Sequence, residues 1–418
     1  MSIWFFLLIP IIGAAILLKF FGKKLAWWEV SIPLLACFFF ISIFKLIVEK
    51  VQVNDTEYHG ALIVKATYYE SYSTWVEQTC SYTTTCCCDS KGGNCQTTTH
   101  YYDCSYCSTH NARWEVTNSL GESWGVNEDF YNYLMKKWSA IPQFVDMNRS
   151  INYYGGCGKD GDAYDIFWDK QWNTSEATTT SHWYENRVQA AHTSFDFVNV
   201  TKEDVSQYSL VKYPVVKSFQ QNNILGADSI SWFTSYEKNR LHQWGMYLNG
   251  LLGPKNHARI YYIFFEDQPH LAGKMQEAYW DGGNDNELVV CIGLSSKNKK
   301  IKWVYPFSWT PERKILVDMR EDIMNLKAFD IDGIATITLS NVEKEWKRKD
   351  FKEFSYVTVD PPGWSMWVTF IITLIITGLL CYWAVVNEVD SRYDPVKDFF
   401  SDLLNRVFDK LNKIKRKT

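Results

Sequence analysis

The sequence predicts an α+β protein anchored in a membrane, with three transmembrane helices carrying a large, disulfide-rich ectodomain. Three observations lead there. Apolar residues gather into three runs of near-spanning length, while the sequence between the second and third is polar and aromatic. Residues 80–107, CSYTTTCCCDSKGGNCQTTTHYYDCSYC, hold most of the cysteines. Beyond about residue 226, helical and strand-like patterns alternate, as they do in a small sheet covered by helices.

Length and charge set the outer bounds. A chain of 418 residues holds two or three folded units. A net charge of -4 argues against nucleic acid as a partner, because that role wants a basic face. Aromatic residues make up 17% of the chain, and many lie in the polar middle. They fit either a β-rich fold with large core side chains or an aromatic binding surface.

Ile3 to Phe20 and Val30 to Val48 are each close to the length needed to cross a bilayer. The first lacks a basic leading segment and a small-residue cleavage site, so it reads as a retained helix and not a signal peptide. Trp364 to Val386 is the third span, with Trp364 and Trp367 at one end and Tyr382 and Trp383 at the other, as in an interfacial belt. Positive charge sets the orientation. Lys19, Lys23 and Lys24 lie between the first two spans, and the C-terminal tail is rich in Lys and Arg. Both belong in the cytoplasm, which puts the N-terminus and residues 50–363 outside. From Asp394 onward, Val396, Phe399, Phe400, Leu403 and Leu404 open an amphipathic pattern ending in KIKRK, suited to the anionic inner leaflet.

Ala61 to Glu70 and Ala112 to Thr117 read as strands. The cysteine stretch between them is then the tip of a long β-hairpin. Cys104 and Cys107, with His100 and His110 nearby, have the spacing of half a zinc site, but the triplet Cys86-Cys87-Cys88 is a poor second half. An exterior location favours disulfides instead, among Cys80, Cys86, Cys87, Cys88, Cys95, Cys104, Cys107 and Cys157, with the connectivity open. Cys291 is expected to be a free, buried strand residue. Asp129 to Ser139 reads as a helix. The loop Gly155 to Asp165 brings Asp160, Asp162 and Asp165 into contention as oxygen ligands for Ca²⁺, against the plainer reading of a solvated turn.

In the second half, Ser231 to Leu252, Leu271 to Trp280 and Leu316 to Leu326 have helical spacing, and Arg259 to Glu266, Glu287 to Leu294 and Lys300 to Phe307 have strand character. The chain thus divides into 1–49 (a two-helix transmembrane hairpin), 50–225 (cysteine- and β-rich), 226–360 (α/β), 361–387 (the third span) and 388–418 (the tail).

Residues 226–327 resemble the TPM domain. The features that carry the likeness are Gly282, Gly283, Asp285 and Asn286 before the apolar Leu288, Val289 and Val290, then a hairpin into Lys300 to Val304. The family's later glycine-rich element is replaced here by Pro306-Phe307-Ser308-Trp309. The resemblance implies an α/β/α sandwich facing outside the cytoplasm, in a family whose members include phosphatases and assembly factors for membrane complexes. The first half, through Trp114, Val116, Asn132, Tyr133, Leu134 and Lys136, is similar to cysteine-rich membrane proteins of bacteria and bacterial viruses. That implies a bacterial inner membrane or its equivalent.

Metal-assisted phosphate chemistry would need carboxylates converging near strand ends. Glu266, Asp267, Asp281 and Asp285 are the candidates, with a divalent metal as the cofactor such chemistry would use. No P-loop, nucleophile elbow or H-E-x-x-H motif is present, and His182, His192, His242, His257 and His270 share no spacing. The sequence therefore favours a non-enzymatic module without cofactor, its partners the bilayer and another membrane or envelope protein. The alternatives are a TPM-like phosphohydrolase and a virus-encoded modifier of the host envelope.

Overall fold

The computed structural model of the chain describes residues 3–21, 26–86, 96–191, 198–326 and 328–389. The expected amphipathic tail, Cys87, Cys88 and Cys95 lie outside them. The fold is mixed α+β in two compact units. One is drawn from Met1–Asp55, Glu185–Phe195 and Lys352–Thr418, the other from Thr56–Tyr184 and Asp196–Phe351.

The first unit contains three helices long and apolar enough to cross a membrane: Ile3–Phe20, Trp27–Val53 and Gly363–Val386. Pro10 falls in the first turn of the α-helix Leu8–Phe21, where a missing N–H leaves no gap in the hydrogen-bond ladder. The helices contact one another through small and hydroxylated residues. Ser365, Thr369, Thr373 and Thr377 recur every four residues along the third helix and are buried. Thr377 lies 3.5 Å from Cys37 on the second helix, and a Cβ at Gly13 on the first would stand 2.8 Å from the Thr377 methyl. Close backbone approach and hydroxyl contacts of this kind are those by which helices associate when apolar burial offers little gain. Ile371, Leu374, Ile375 and Leu379 are exposed.

The second unit begins with a nested hairpin. Strand β1 (Asn54–Tyr69) pairs antiparallel with β6 (Arg113–Asn118), β2 (Tyr72–Val76) with β5 (Tyr106–His110), and β3 (Thr79–Cys86) with β4 (Gln96–Asp103). Disulfides Cys80–Cys104 and Cys107–Cys157 fasten it. The β3–β4 blade buries almost nothing, so the crosslink substitutes for a core. At the hairpin's base, β7 (Ser123–Val126), β8 (Gln143–Val145), β9 (Ala163–Phe167) and β10 (Ala177–Glu185) complete a sheet of order β7-β6-β1-β9-β8, with β10 also on β1. Ile63, Ala66, Val116 and Ile166 alternate onto one face and meet Tyr131, Leu134 and Trp138 of the helix Glu128–Lys137 and its end.

The other sheet has the order β11 (Ile224–Leu225), β12 (Arg259–Glu266), β13 (Glu287–Leu294), β14 (Ile301–Ser308). The first three run parallel and β14 antiparallel. Strand β12 is buried on both faces. Ile260, Tyr262 and Phe264 pack into a core shared with the helices Ser235–Asn256, Lys314–Met324 and Ile331–Glu345. Tyr261, Ile263 and Phe265 pack into another with the helix Leu271–Tyr279 and Tyr213. Helix Ser235–Asn256 also ties this sheet to β1. A Cβ at Gly253 would stand 2.0 Å from the Gly60 carbonyl oxygen, so the helix reaches the strand only because both positions are glycine.

Candidate functional site

The edge of the second sheet where β12 and β13 begin is unusually polar for a buried region. Parallel pairing sets Arg259 opposite Glu287, and both side chains are fully buried. Isolated buried charges are costly, and both are hydrogen-bonded, although the Arg259 Nη1 is left without a partner. Glu287 accepts from the Tyr213 hydroxyl, from the Asn284 N–H at 2.9 Å and from the Asn284 Nδ2 at 3.2 Å. Arg259 donates through Nε to the Tyr261 hydroxyl at 2.7 Å and through Nη2 to the Gln221 carbonyl, and it lies 5.5 Å from the Tyr58 ring. Burial, reinforced by the Glu287 charge, raises the Tyr213 phenol well above its ordinary range, so it stays protonated and donates.

Beside this network lies an acid pair. Glu57 and His59 alternate onto one face of β1, while Asp285 immediately precedes β13. Arg348 bridges the two carboxylates, Nη2 standing 2.6 Å from Glu57 and 2.7 Å from Asp285. The Arg348 Nε adds a contact to Asp285 at 3.1 Å, and His59 Nε2 lies 3.1 Å from Glu57. Burial and the neighbouring Glu57 charge raise the Asp285 carboxyl, with Arg348 opposing. Burial also works to raise Glu57, but hydrogen bonds from His59 and Asp285 and the Arg348 charge outweigh it and hold Glu57 low. The two carboxyls therefore titrate as a pair, Asp285 pushed up and Glu57 held down. Rings of His182 and His257 lie 4.9 and 5.8 Å from that of His59. Burial, then the proximity of His59 and Arg348, lowers His257. Chemically the cluster is a buried acid pair neutralised by one guanidinium, with His59 against Glu57. Mechanically it locks β1, the start of β13 and the segment after residue 345 together.

No protein-family model, curated protein or solved structure matches the chain.

The four acidic residues singled out from sequence do not converge. In parallel register, Glu266 lies opposite Leu294, a full strand length from Glu287. Glu266 and Asp267 therefore sit at one edge of the sheet, and Asp281 and Asp285 precede the opposite edge. A parallel crossover returns the chain to its starting edge, so the end of one strand and the start of the next are far apart. Glu266 accepts from the N–H and hydroxyl of Ser231. Asp267 is held down to about 2 by hydrogen bonds from Lys302 and Ser296. Asp281 occupies a left-handed turn with φ 50°. Only Asp285 joins the buried cluster.

Of the three loop aspartates, Asp165 lies within β9, where the Thr67 hydroxyl donates to it at 2.6 Å. Asp160 and Asp162 instead gather with Asp146, their ligand oxygens within 4.8 Å of one another. Three carboxylates supply at most six of the six to eight oxygens Ca²⁺ takes, so carbonyls or water would have to complete its shell. Cys37, Cys291 and Cys381 are free thiols. Glu57, His59, Arg259, Glu287 and Arg348 were not singled out from sequence. One signal was there to read: Arg259 and Glu287 each open an otherwise apolar strand.

Proposed function

We propose that the chain is an integral membrane protein whose extracytoplasmic domain binds envelope components through its stapled hairpin. The observation that carries this is the β3–β4 blade. It has no core of its own, is fixed at its root by Cys80–Cys104, and exposes Tyr82, Tyr101 and Tyr102. Tyr82 stacks on His100 at 5.1 Å and lies 6.1 Å from Tyr102, forming an aromatic row on one face. Rigid aromatic side chains offer large contact area at little entropic cost. An oxidising location accounts for the disulfides, and lysine placement accounts for the topology, with the N-terminus and ectodomain outside. In this reading residues 226–327 are a TPM-like scaffold, supported by the mixed sheet with helices against both faces.

The test is to change Tyr82, Tyr101 and Tyr102 to Ser in the full chain and measure retention on washed bacterial envelopes. Binding should fall at least tenfold with the disulfides intact. Undiminished retention would remove the hairpin from the reading.

A second reading is phosphate-ester hydrolysis, favoured by the close Glu57–Asp285 pair. It predicts divalent-metal-dependent turnover that is lost in Asp285→Asn. Its absence from purified full chain, across several divalent metals, would end that reading.

A further inference from the structure

The nested hairpin has a seam. Ladder β1–β6 ends at Tyr69 opposite Arg113, and ladder β2–β5 starts at Tyr72 opposite His110. The residues between these rungs, Glu70-Ser71 on one side and Asn111-Ala112 on the other, leave the ladder open. A cavity of about 390 Å³ occupies this break. That volume is in the range of small-molecule sites, roughly 300–1,000 Å³. Met147 and Arg149 form another wall.

Two arginines line it, and both are held by aromatic faces in place of acids. Arg113 lies over the Tyr69 ring at 4.6 Å, and Arg149 over the Tyr72 ring at 4.4 Å. Neither has a carboxylate partner among the described residues, whereas Arg187, Arg240 and Arg348 all do. The Arg149 Nη1 is buried and has no hydrogen-bond partner. A buried donor without an acceptor is destabilising, and a guanidinium stacked on a ring is fixed in orientation with its edge N–H groups free to bind. His110 stacks on Tyr72 at 4.2 Å and adds a further polar edge. One carboxylate, Glu70, also lines the cavity.

We infer that this cavity binds a phosphate monoester group, with Arg113 and Arg149 as the paired anion clamp. A monoester carries nearly two negative charges at neutral pH and has oxygens to spare for both forks. The tyrosine walls suit the carbon skeleton that bears it. The site lies at the root of the hairpin and not on its blade, so it stands or falls separately from envelope binding by Tyr82, Tyr101 and Tyr102.

The test is calorimetric titration of the oxidised full chain, held in neutral-lipid nanodiscs, with inorganic phosphate, glycerol 3-phosphate and acetate. Vesicles containing phosphatidic acid are compared by co-flotation. Saturable binding of a phosphate species, at least tenfold tighter than acetate, is expected. A soluble-only or vesicle-only response supports the site and assigns the source of the phosphate. Arg113→Gln and Arg149→Gln should each weaken binding at least tenfold, and the exposed Arg320→Gln should not. Glu70→Gln should tighten binding about threefold or more, a gain that misfolding cannot produce. No saturable binding of any phosphate species, equal affinity for acetate, or unchanged affinity in Arg149→Gln would overturn the inference.

Discussion

Replacing Asp285 by Asn tests whether the acid pair stores a proton. Burial and the Glu57 charge push the Asp285 carboxyl up to about 8, against roughly 3.9 in an unfolded chain. Between those values the folded protein holds a proton that the unfolded chain has released. Stability must therefore fall as pH rises through this window, by about 1.4 kcal/mol per unit, and level off above the folded value. From pH 6 to 8 the loss is about 2 kcal/mol, a large part of a typical stability of roughly 5–15 kcal/mol. Glu57, held low, acts in the opposite sense, but only below about pH 5. His257, also lowered, contributes a rise with pH that is common to both proteins. Asn at 285 keeps an acceptor for Arg348 and a donor for Glu57, so it imitates the protonated acid. Urea midpoints of the full chain in detergent, followed by tryptophan fluorescence at pH 5.5 to 8.5, give the readout. The wild type should lose about 2 kcal/mol relative to Asp285→Asn between pH 6 and 8. Parallel profiles would refute the stored proton.

Other perturbations isolate the framework. Asn249 is fully buried; its Oδ1 accepts from the Ile260 N–H at 2.7 Å and its Nδ2 donates to the Ile260 carbonyl at 3.0 Å, substituting for a strand neighbour that the two-residue β11 is too short to supply. Asn249→Leu should cost about 2–5 kcal/mol in a urea titration, since unsatisfied buried groups cost roughly 1–3 kcal/mol each. Gly253→Ala drives a methyl into the Gly60 carbonyl; a loss of about 1–3 kcal/mol is expected, and a Tm equal to wild type would show that the helix can retreat from β1. Cys80 and Cys104 are separated by 24 residues. Changing both to Ser should cost the blade about 3.5 kcal/mol by loop closure, read as faster limited proteolysis within residues 79–103 and little change in the urea midpoint of the rest.

The architecture was readable wherever one chemical signal dominated. Ile3 to Phe20 carries its burial preference in composition alone, and the helix followed. The strands flanking the cysteines showed their partnership because close thiols joined what lay between them; β1 and β6 do pair, and Cys80, Cys104, Cys107 and Cys157 are in disulfides. Cys291, expected free in a strand, is buried in β13. The strand Arg259–Glu266 and its β13 neighbour were legible as unbroken apolar runs. Helix Ile331–Glu345 was missed, since its threonines and isoleucines favour strands and only packing against the helix Ser235–Asn256 overrides that preference.

The site was another matter. Sequence alone determined that Asp285 and Asn286 precede a buried strand, that Arg259 and Glu287 open strands, and that residues 80–107 need oxidation or a metal. It held no record of which edge each acid would occupy. Glu57 and Asp285 are 228 residues apart, and Arg348 is 63 residues further on. Their meeting depends on three placements: β1 lying against the helix Ser235–Asn256, the parallel crossover returning β13 to the edge where β12 starts, and the chain coming back to that edge after residue 345. Each placement rests on packing or backbone pairing: Gly253 against Gly60, the β12–β13 ladder, and Trp346 in the core. Periodicity and spacing are local, while a shared proton or a paired anion clamp is a property of neighbours in space, and those neighbours exist only once the core has packed.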